Sequence, residues 1–218
     1  MGSPAGKLKM HTYAGNTHAL QSLIIARYNG IEIEVPAFEM GKDNKSPAFL
    51  AKSPMGKVPV LETAEGCICE AAAIARYVAR VRPDTNMYGG SFFEAGLVDQ
   101  WIEFAKNELD LPVGMWIYPI LGFIASNAGN TEKAKDDLKR ALAILDAHLL
   151  SHTFLAGEGV TAADVVVACS LLNAFKVSAG LCSRARVQPL SLLLAEPRPT
   201  ATPLPRAPGA YPHSTLFS

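Results

Sequence analysis

The sequence predicts an α/β unit with the element order βαβ-α-ββα, followed by an all-helical unit. Two observations support the first unit: residues 7–35 alternate between strand-like and helix-like apolar spacing, and residues 54–77 carry a strand–turn–strand–helix pattern. A third supports the second unit, because residues 91–177 follow helical spacing. The 218 residues suffice for one or two modest domains with a packed core.

The first unit opens with a predicted β-α-β arrangement. Residues 7–13 are a strand candidate, a turn at 14–17 ends in a helix cap, and a helix runs to the stop signal Asn29-Gly30. Residues 31–35 then alternate with a period of two, which predicts a second strand. In one sheet this order implies parallel strands joined by a right-handed crossover. Ser46-Pro47 predicts a short helix through the serine cap and the first-turn proline.

A hairpin and a helix complete the first unit. Residues 57–62 and 67–69 are apolar, β-rich runs separated by the turn signal Glu65-Gly66. From Glu70 onward alanines replace the alternation, which predicts a helix that starts at an acidic residue. Pro59 cannot donate to a strand ladder, so it belongs at an edge, at a bulge or in a cis bond.

Capping signals mark the starts of the first and last predicted helices of the helical unit. Ser91–Glu94 and Thr161–Asp164 are both capping boxes. Between them, residues 127–130 predict a turn, and residues 132–150 predict a long amphipathic helix. The run 165–172 is apolar on all sides, which predicts a helix buried at the centre of this unit.

The amino-acid composition narrows the range of possible functions. Lys+Arg and Asp+Glu are both 20, so no basic field argues for nucleic-acid binding. No secretion signal and no membrane-length apolar run is visible, and four cysteines are too few for a disulfide scaffold. Cys67 and Cys69 have no second pair at zinc-site spacing. We therefore expect a cytoplasmic protein with reduced thiols, no metal, no membrane contact and no direct nucleic-acid contact.

Two motifs together resemble the glutathione S-transferase superfamily. Val58-Pro59 before the hairpin, with Glu70 at the next helix start, is similar to its glutathione-binding half, and Gly157-x-x-x-Thr161-x-Ala163-Asp164 is similar to its helical hallmark. The resemblance covers residues 7–177. It implies a thioredoxin-like domain over 1–82, a linker over 83–90 and an all-α transferase domain, incomplete, over 91–177. A thioredoxin itself is not expected, because no Cys-x-x-Cys follows the first strand.

A narrower likeness favours one function. Five segments resemble the N-terminal domain of the gamma subunits of translation elongation factor 1, namely Met10–Tyr13, Gly56–Pro59, Ala73–Val78, Val98–Trp101 and Tyr118–Ile120. That likeness implies a scaffold of the nucleotide-exchange complex, with other elongation factor 1 subunits as partners. The wider superfamily implies a homodimer. The alternative is an active transferase that conjugates glutathione, or a related thiol, to electrophiles.

The superfamily resemblance also implies a site for glutathione, as ligand or co-substrate. The peptide would be held by the Val58 backbone beside Pro59, by Glu70 and by the helix amides around Ala71, because a helix N-terminus suits a carboxylate. Lys57 and Asn44 would meet the glycyl carboxylate. Trp101 and Phe104 would line the electrophile pocket.

Two features of this site predict weak activity. The family places Ser or Thr where this chain has Ala71, so a hydroxyl hydrogen bond of about 1–2 kcal/mol is lost. A transferase also needs a donor that lowers the thiol pKa. The candidates are Tyr13, Asn16 and Thr17, of which one at most serves, and the sequence leaves the choice open.

Composition changes sharply at residue 178. Residues 178–218 contain no Lys and no Asp, one Glu, and seven of the chain's 15 prolines. This predicts a disordered segment that contributes nothing to folding. An out-of-frame end and a natural Pro-rich tail both explain the change, and composition does not separate them.

Overall fold

The structure is a computed structural model that describes residues 7–182, with the backbone alone at 173 and 176–182. Four strands form one mixed sheet in the order β2-β1-β3-β4. The strands are β1 (Leu8–His11), β2 (Ile33–Glu34), β3 (Val60–Glu62) and β4 (Cys67–Cys69). β1 pairs in parallel with β2, while β3 pairs antiparallel with both β1 and β4. The predicted β-α-β arrangement and the hairpin are confirmed.

The second strand is shorter than its sequence pattern predicts. Gly30, with φ +63°, sits just past the end of the first helix, and its N–H donates to Arg27 at 3.1 Å. The Ile31 N–H donates to the Ala26 carbonyl at 2.8 Å. These two bonds form a Schellman motif. The Ile31 N–H is therefore bonded to the end of the helix, and strand pairing begins only at Ile33.

Three helices complete the α/β layer: α1 (Thr17–Tyr28), α2 (Pro47–Leu50) and α3 (Ala71–Arg80). The Ser46 side chain caps α2 by accepting from the Phe49 N–H, as predicted. Asn29, at the end of α1, is buried, and its Nδ2 donates to the Val78 carbonyl at 2.7 Å. This bond ties the C-terminal ends of α1 and α3 together.

The helical layer consists of α4 (Phe92–Phe104), α5 (Leu111–Ile117), α6 (Ala128–Leu149) and α7 (Ala162–Cys182). A π-helical segment, Ala105–Asp110, joins α4 to α5. The predicted turn at 127–130 is wrong: Asn127 is the N-cap of α6, and its side chain accepts from the Asn130 N–H at 3.0 Å. The polar run thus forms the first turn of the helix.

Both capping boxes form, with altered partners. The Ser91 hydroxyl accepts from the Glu94 N–H at 3.1 Å, but the Glu94 carboxylate reaches back to the Gly90 N–H at 2.6 Å rather than to Ser91. Asp164 accepts from the Thr161 N–H and hydroxyl at 2.8 and 2.9 Å, and from the Leu155 N–H at 2.8 Å. The loop before α7 is therefore fixed by one carboxylate.

One hydrophobic cluster runs through both layers within residues 7–174. It combines Leu8, Met10, Leu61, Ile74 and Val78 of the α/β layer with Val98, Ile102, Leu109, Val113 and Val166 of the helices. The predicted burial of α7 holds for Val165–Val167, whereas Leu172 and Phe175 are exposed. Residues 183–218, most of the predicted tail, lie outside the described residues.

An ionic network joins the two layers at α3 and α4. The Arg76 guanidinium contacts Asp99 and Glu103, both at 2.6 Å. The Tyr88 hydroxyl donates to the same Asp99 carboxylate, and the Arg80 guanidinium lies 3.9 Å from the centre of the Tyr88 ring. Burial, followed by the hydrogen bond to Asp99, raises the pKa of Tyr88 to about 12.

Candidate functional site

A cavity of 380 Å³ opens where the parallel strands β1 and β2 end. The loop between β1 and α1 supplies Thr12, Tyr13 and Asn16, and the segment after β2 supplies Pro36 and Phe38. Because carboxyl ends of parallel strands lie side by side, the segment after β2 had to reach this cavity. Pro36 and Phe38 were not among the predicted site residues, although the strand order could have indicated them.

The three predicted thiol donors differ in environment. Tyr13 is 42% exposed at the cavity. Asn16 is buried, and its Oδ1 caps α1 by accepting from the His18 N–H while its Nδ2 donates to the Thr12 hydroxyl, both at 3.1 Å. Thr17 is buried as the first residue of α1 and does not line the cavity. Tyr13 therefore presents the accessible hydroxyl, and Asn16 keeps one N–H for a ligand.

The bond between Val58 and Pro59 is cis, which is one of the placements that the sequence left open for this proline. The paired part of β3 begins at Val60, opposite His11 and Cys69, so Val58 lies at the end of the ladder. Pro59 is buried and Val58 is half-buried. The Val58 backbone thus occupies a strand-edge position of the kind to which an extended peptide can add.

Glu70 and Ala71 lie at the start of α3. Glu70 has φ +68°, is exposed, and makes no capping hydrogen bond with its side chain. Non-glycine residues with positive φ are uncommon and concentrate at functional sites. Ala71 is 8% exposed, and its N–H is among the first helix amides, which have no partner within a helix. A free carboxylate and free amides therefore meet at one helix end.

The two residues predicted for the glycyl carboxylate are placed differently. The Asn44 Nδ2 donates to the Gly56 carbonyl at 3.0 Å, and its Oδ1 accepts from the Gly41 N–H at 2.7 Å. The Asn44 side chain thus holds together the two ends of its own loop, at Gly41 and Gly56. The Lys57 side chain is exposed, while its carbonyl accepts from the Ser53 hydroxyl at 3.0 Å. Of these two residues, Lys57 is the one that carries a charge, and its side chain is exposed to solvent.

The predicted electrophile pocket is not open at Trp101. Trp101 is 5% exposed and belongs to the hydrophobic core. Its ring centre lies 5.2 Å from that of Phe104 and 4.7 Å from that of His148. Phe104 is half-buried against the same core. The structure therefore gives Trp101 a packing role, because its ring is covered by neighbouring side chains.

A charged triad that the sequence did not indicate links β1, β3 and the end of α2. Glu62 accepts from His11 at 2.8 Å and from Lys52 at 2.5 Å. The hydrogen bond from Lys52, and then that from His11, lowers the pKa of Glu62 to about 2. Residues 11, 52 and 62 come together only through strand pairing, so no local motif could have revealed them.

A second charged group lies between α1 and the π-helical segment. His18 Nδ1 is 3.9 Å from an Asp110 oxygen, and Lys106 Nζ is 3.4 Å from the same oxygen. Burial lowers the pKa of His18 against the opposing effect of Asp110. The other Asp110 oxygen is buried without a hydrogen-bond partner among residues 7–182.

In residues 7–182, no group of three or more His, Cys, Asp or Glu residues is placed to hold a metal ion. Within the same range, no helix is both long and apolar enough to cross a membrane.

The mixed four-stranded sheet has a helix N-terminus at its strand edge and is followed by an all-helical layer. This is the architecture of a glutathione-transferase fold, in which a thioredoxin-like domain precedes a helical domain. Family comparison agrees: the glutathione S-transferase N-terminal domain matches residues 6–80, and the glutathione S-transferase C-terminal domain matches residues 99–204. The chain belongs to the glutathione S-transferase family.

Comparison with individual proteins is more specific than the family match. The chain is 44% identical over 169 residues to elongation factor 1-gamma 1 of Oryza sativa subsp. japonica and 48% identical over 165 residues to a probable elongation factor 1-gamma 2 of Arabidopsis thaliana. It is 43% identical over 171 residues to elongation factor 1-gamma of Artemia salina. These matches cover 75–77% of this chain but only 39–40% of each relative. The chain thus spans about two fifths of the relatives' length.

Solved structures show the same fold at lower identity. A delta-class glutathione transferase of Nilaparvata lugens aligns with a TM-score of 0.67 at 25% identity, covering 75% of this chain and 76% of that one. A glutathione S-transferase-I bound with lactoylglutathione aligns with a TM-score of 0.68 at 23% identity, covering 82% and 88%. The sequence likeness to the gamma subunits is therefore much closer than that to these transferases.

Proposed function

We propose that this chain acts as the transferase-like scaffold domain of an elongation factor 1 gamma subunit, with weak glutathione binding retained. One observation carries the proposal. The chain is 41–48% identical to gamma subunits from plants and animals, against 25% or less to the solved transferases above. The proposed partners are the other elongation factor 1 subunits, and the proposed location is the cytoplasm.

The site geometry supports weak binding of the thiol peptide. In this proposal the Val58 backbone pairs with the cysteinyl unit, and Glu70 pairs with the γ-glutamyl amino group. The first amides of α3 meet the γ-glutamyl carboxylate. Lys57 rather than Asn44 meets the glycyl carboxylate, because the Asn44 amide already holds its loop. The missing hydroxyl at Ala71 keeps the affinity low.

The scaffold function is tested by assembly. The purified chain is mixed with each of the other elongation factor 1 subunits, and the mass of the product is measured by light scattering after size exclusion. We expect a stoichiometric complex with at least one subunit. The matched control is an active glutathione transferase of the same fold, which should elute alone. Separate elution of this chain from every subunit at micromolar concentration would contradict the scaffold proposal.

A second candidate function is weak conjugation of glutathione to electrophiles. The observation in its favour is the cavity at Tyr13 and Asn16, next to the N-terminus of α1, where a thiolate would be stabilised. Replacing Tyr13 by Phe should lower any conjugation of chlorodinitrobenzene by about tenfold or more if this hydroxyl is the donor. An unchanged rate in the variant would remove Tyr13 and leave Asn16 as the candidate.

A further inference from the structure

The edge strand β4 carries two free thiols on one face of the sheet. Cys67 pairs with Glu62 and Cys69 pairs with Val60 across the hairpin, so both cysteines belong to the extended, paired part of the strand. Residues two apart on a strand point to the same side. Cys67 is exposed, Cys69 is half-buried, and β4 is the outermost strand of the described sheet. The two thiol groups therefore lie next to each other at an edge that solutes can reach.

Both thiols lie near Lys52, just after α2. Burial and then the Glu62 carboxylate raise the pKa of Cys67, the charge of Lys52 lowers it, and the neighbouring Cys69 adds a further rise. The Cys69 thiol donates to the Lys52 carbonyl at 3.4 Å, and Lys52 Nζ lies 2.5 Å from a Glu62 oxygen. The effect of Cys69 on Cys67 shows that the two thiols are within electrostatic reach of each other.

The spacing of the two thiols excludes one product and permits another. Two residues of strand separate the Cα atoms by about 6.6–6.8 Å, with the Cβ atoms on the same side. A disulfide needs Cβ atoms about 3.5–4.5 Å apart, so these cysteines cannot form one without moving the backbone. A bridging metal ion holds two sulfurs up to about 4.6 Å apart, because each metal–sulfur bond is about 2.3 Å long. The pair is therefore spaced for a shared ion rather than for a disulfide.

Two thiolates without further ligands restrict the kind of ion. Across the part of the chain that the structure describes, no group of three or more His, Cys, Asp or Glu residues is placed to hold a metal. Glu62, the cross-strand neighbour of Cys67, is already bonded to His11 and Lys52. A structural zinc ion needs four ligands, whereas monovalent copper is soft, prefers thiolate sulfur and is satisfied by two ligands. The ligand set thus matches cuprous copper.

We propose that Cys67 and Cys69 together bind one cuprous ion as a pair of thiolates. Each thiol releases its proton to solvent as its sulfur bonds the ion, so two protons leave and the copper stays monovalent. The complex carries one net negative charge, which the nearby Lys52 ammonium group offsets. Cys69 gives up its bond to the Lys52 carbonyl in the same step. Neither cysteine is among the proposed glutathione-binding residues.

Competition with the cuprous chelator bathocuproine disulfonate tests the proposal on the full chain. Titrations under argon, without glutathione or other free thiols, measure how much copper the protein withdraws from the coloured chelator complex. We expect one ion per chain, two sulfur ligands in the copper X-ray absorption spectrum, and an affinity that rises from about pH 6 to about pH 8 because protons are released. No withdrawal of copper, an affinity that does not change with pH, or one ion shared by two chains would overturn the proposal.

Matched variants assign the ligands. Cys67→Ser and Cys69→Ser each remove one thiol and should weaken copper binding by at least about a hundredfold, since even the hydrogen-bond partners of metal ligands contribute about 10–100-fold. Cys69→Ser combined with Ile68→Cys keeps two neighbouring thiols but puts them on opposite faces of β4, so it should bind as weakly as the single variants. Cys169 and Cys182 stay in every variant, so unchanged binding without Cys67 and Cys69 would assign the copper to them and overturn the proposal. The thermal midpoint of each variant verifies its fold.

Discussion

At the residue scale, the proposed glutathione site depends on a few groups, and the structure shows how each of them is placed. Glu70 has a free carboxylate, Lys57 has an exposed ammonium group, and Ala71 supplies an amide without a hydroxyl. The Asn44 amide is instead occupied by the backbone around it, whereas Asn16 caps α1 and bonds to Thr12 but keeps one N–H. Sequence motifs suggested these positions, but only the fold shows which side chains are already committed to hydrogen bonds.

Replacing Ala71 by Ser should tighten glutathione binding up to about tenfold, equivalent to ~1.4 kcal/mol. The added hydroxyl would donate to the γ-glutamyl carboxylate beside the first amides of α3. Calorimetric titration of both proteins measures the change, and Ala73→Ser, two positions further along α3 on its exposed face, is the control. Equal affinities for the original chain and the Ala71→Ser variant would mean that α3 does not hold the glutamyl group.

The Glu62 triad should make stability depend on pH. Its pKa is about 2, below the ordinary value of 4.5, so the carboxylate stabilises the fold above pH 4.5 and loses this effect as pH falls toward 2. Because Glu62 is about one third exposed, solvent limits the effect to about 1 kcal/mol.

Chemical denaturation of Glu62→Gln and the original chain checks this prediction. The variant should be less stable at pH 7, and the difference should shrink as the pH is lowered from 4.5 toward 2. Glu65→Gln on the neighbouring turn should show no such pH-dependent difference. A constant difference between the Glu62 variant and the original chain at all pH values would show that the charge of Glu62 is not involved.

At the element scale, sequence patterns predicted which elements exist better than where they end. The hairpin, α2 and both capping boxes follow from local signals that the fold leaves intact. The ends of β2 and α6 did not, because hydrogen bonds at helix ends decide them. The Ile31 N–H takes part in the Schellman motif of α1, and the Asn127 side chain caps a helix instead of forming a turn. The Glu62 triad and the Arg76 network arise from strand pairing and layer packing, which no local pattern encodes.

Replacing Asp164 by Ala should cost about 2–3 kcal/mol in the free energy of unfolding, because one carboxylate accepts three hydrogen bonds at the start of α7. Asn127→Ala at the start of α6 loses a single capping bond and should cost about 1 kcal/mol. Urea denaturation of both variants compares the two caps. Similar costs would show that the link from Asp164 to Leu155 contributes little.

At the scale of the whole molecule, the proposed glutathione site and the packed core occupy different parts of the chain. The proposed site lies at the sheet edge and the start of α3, whereas the hydrophobic core is shared by both layers. We therefore expect that Ala71 lowers thiol-peptide affinity without disturbing this core.

Replacing Glu70 by Gln separates the two functions. Its side chain is exposed and makes no capping hydrogen bond, so the variant should fold with an unchanged thermal midpoint. Glutathione affinity should fall by about tenfold or more, because the ionic partner of the γ-glutamyl amino group is lost. Assembly with the other elongation factor 1 subunits, measured by light scattering, should stay the same. If assembly weakened together with glutathione affinity, the sheet edge would belong to the subunit interface and the two functions would share one surface.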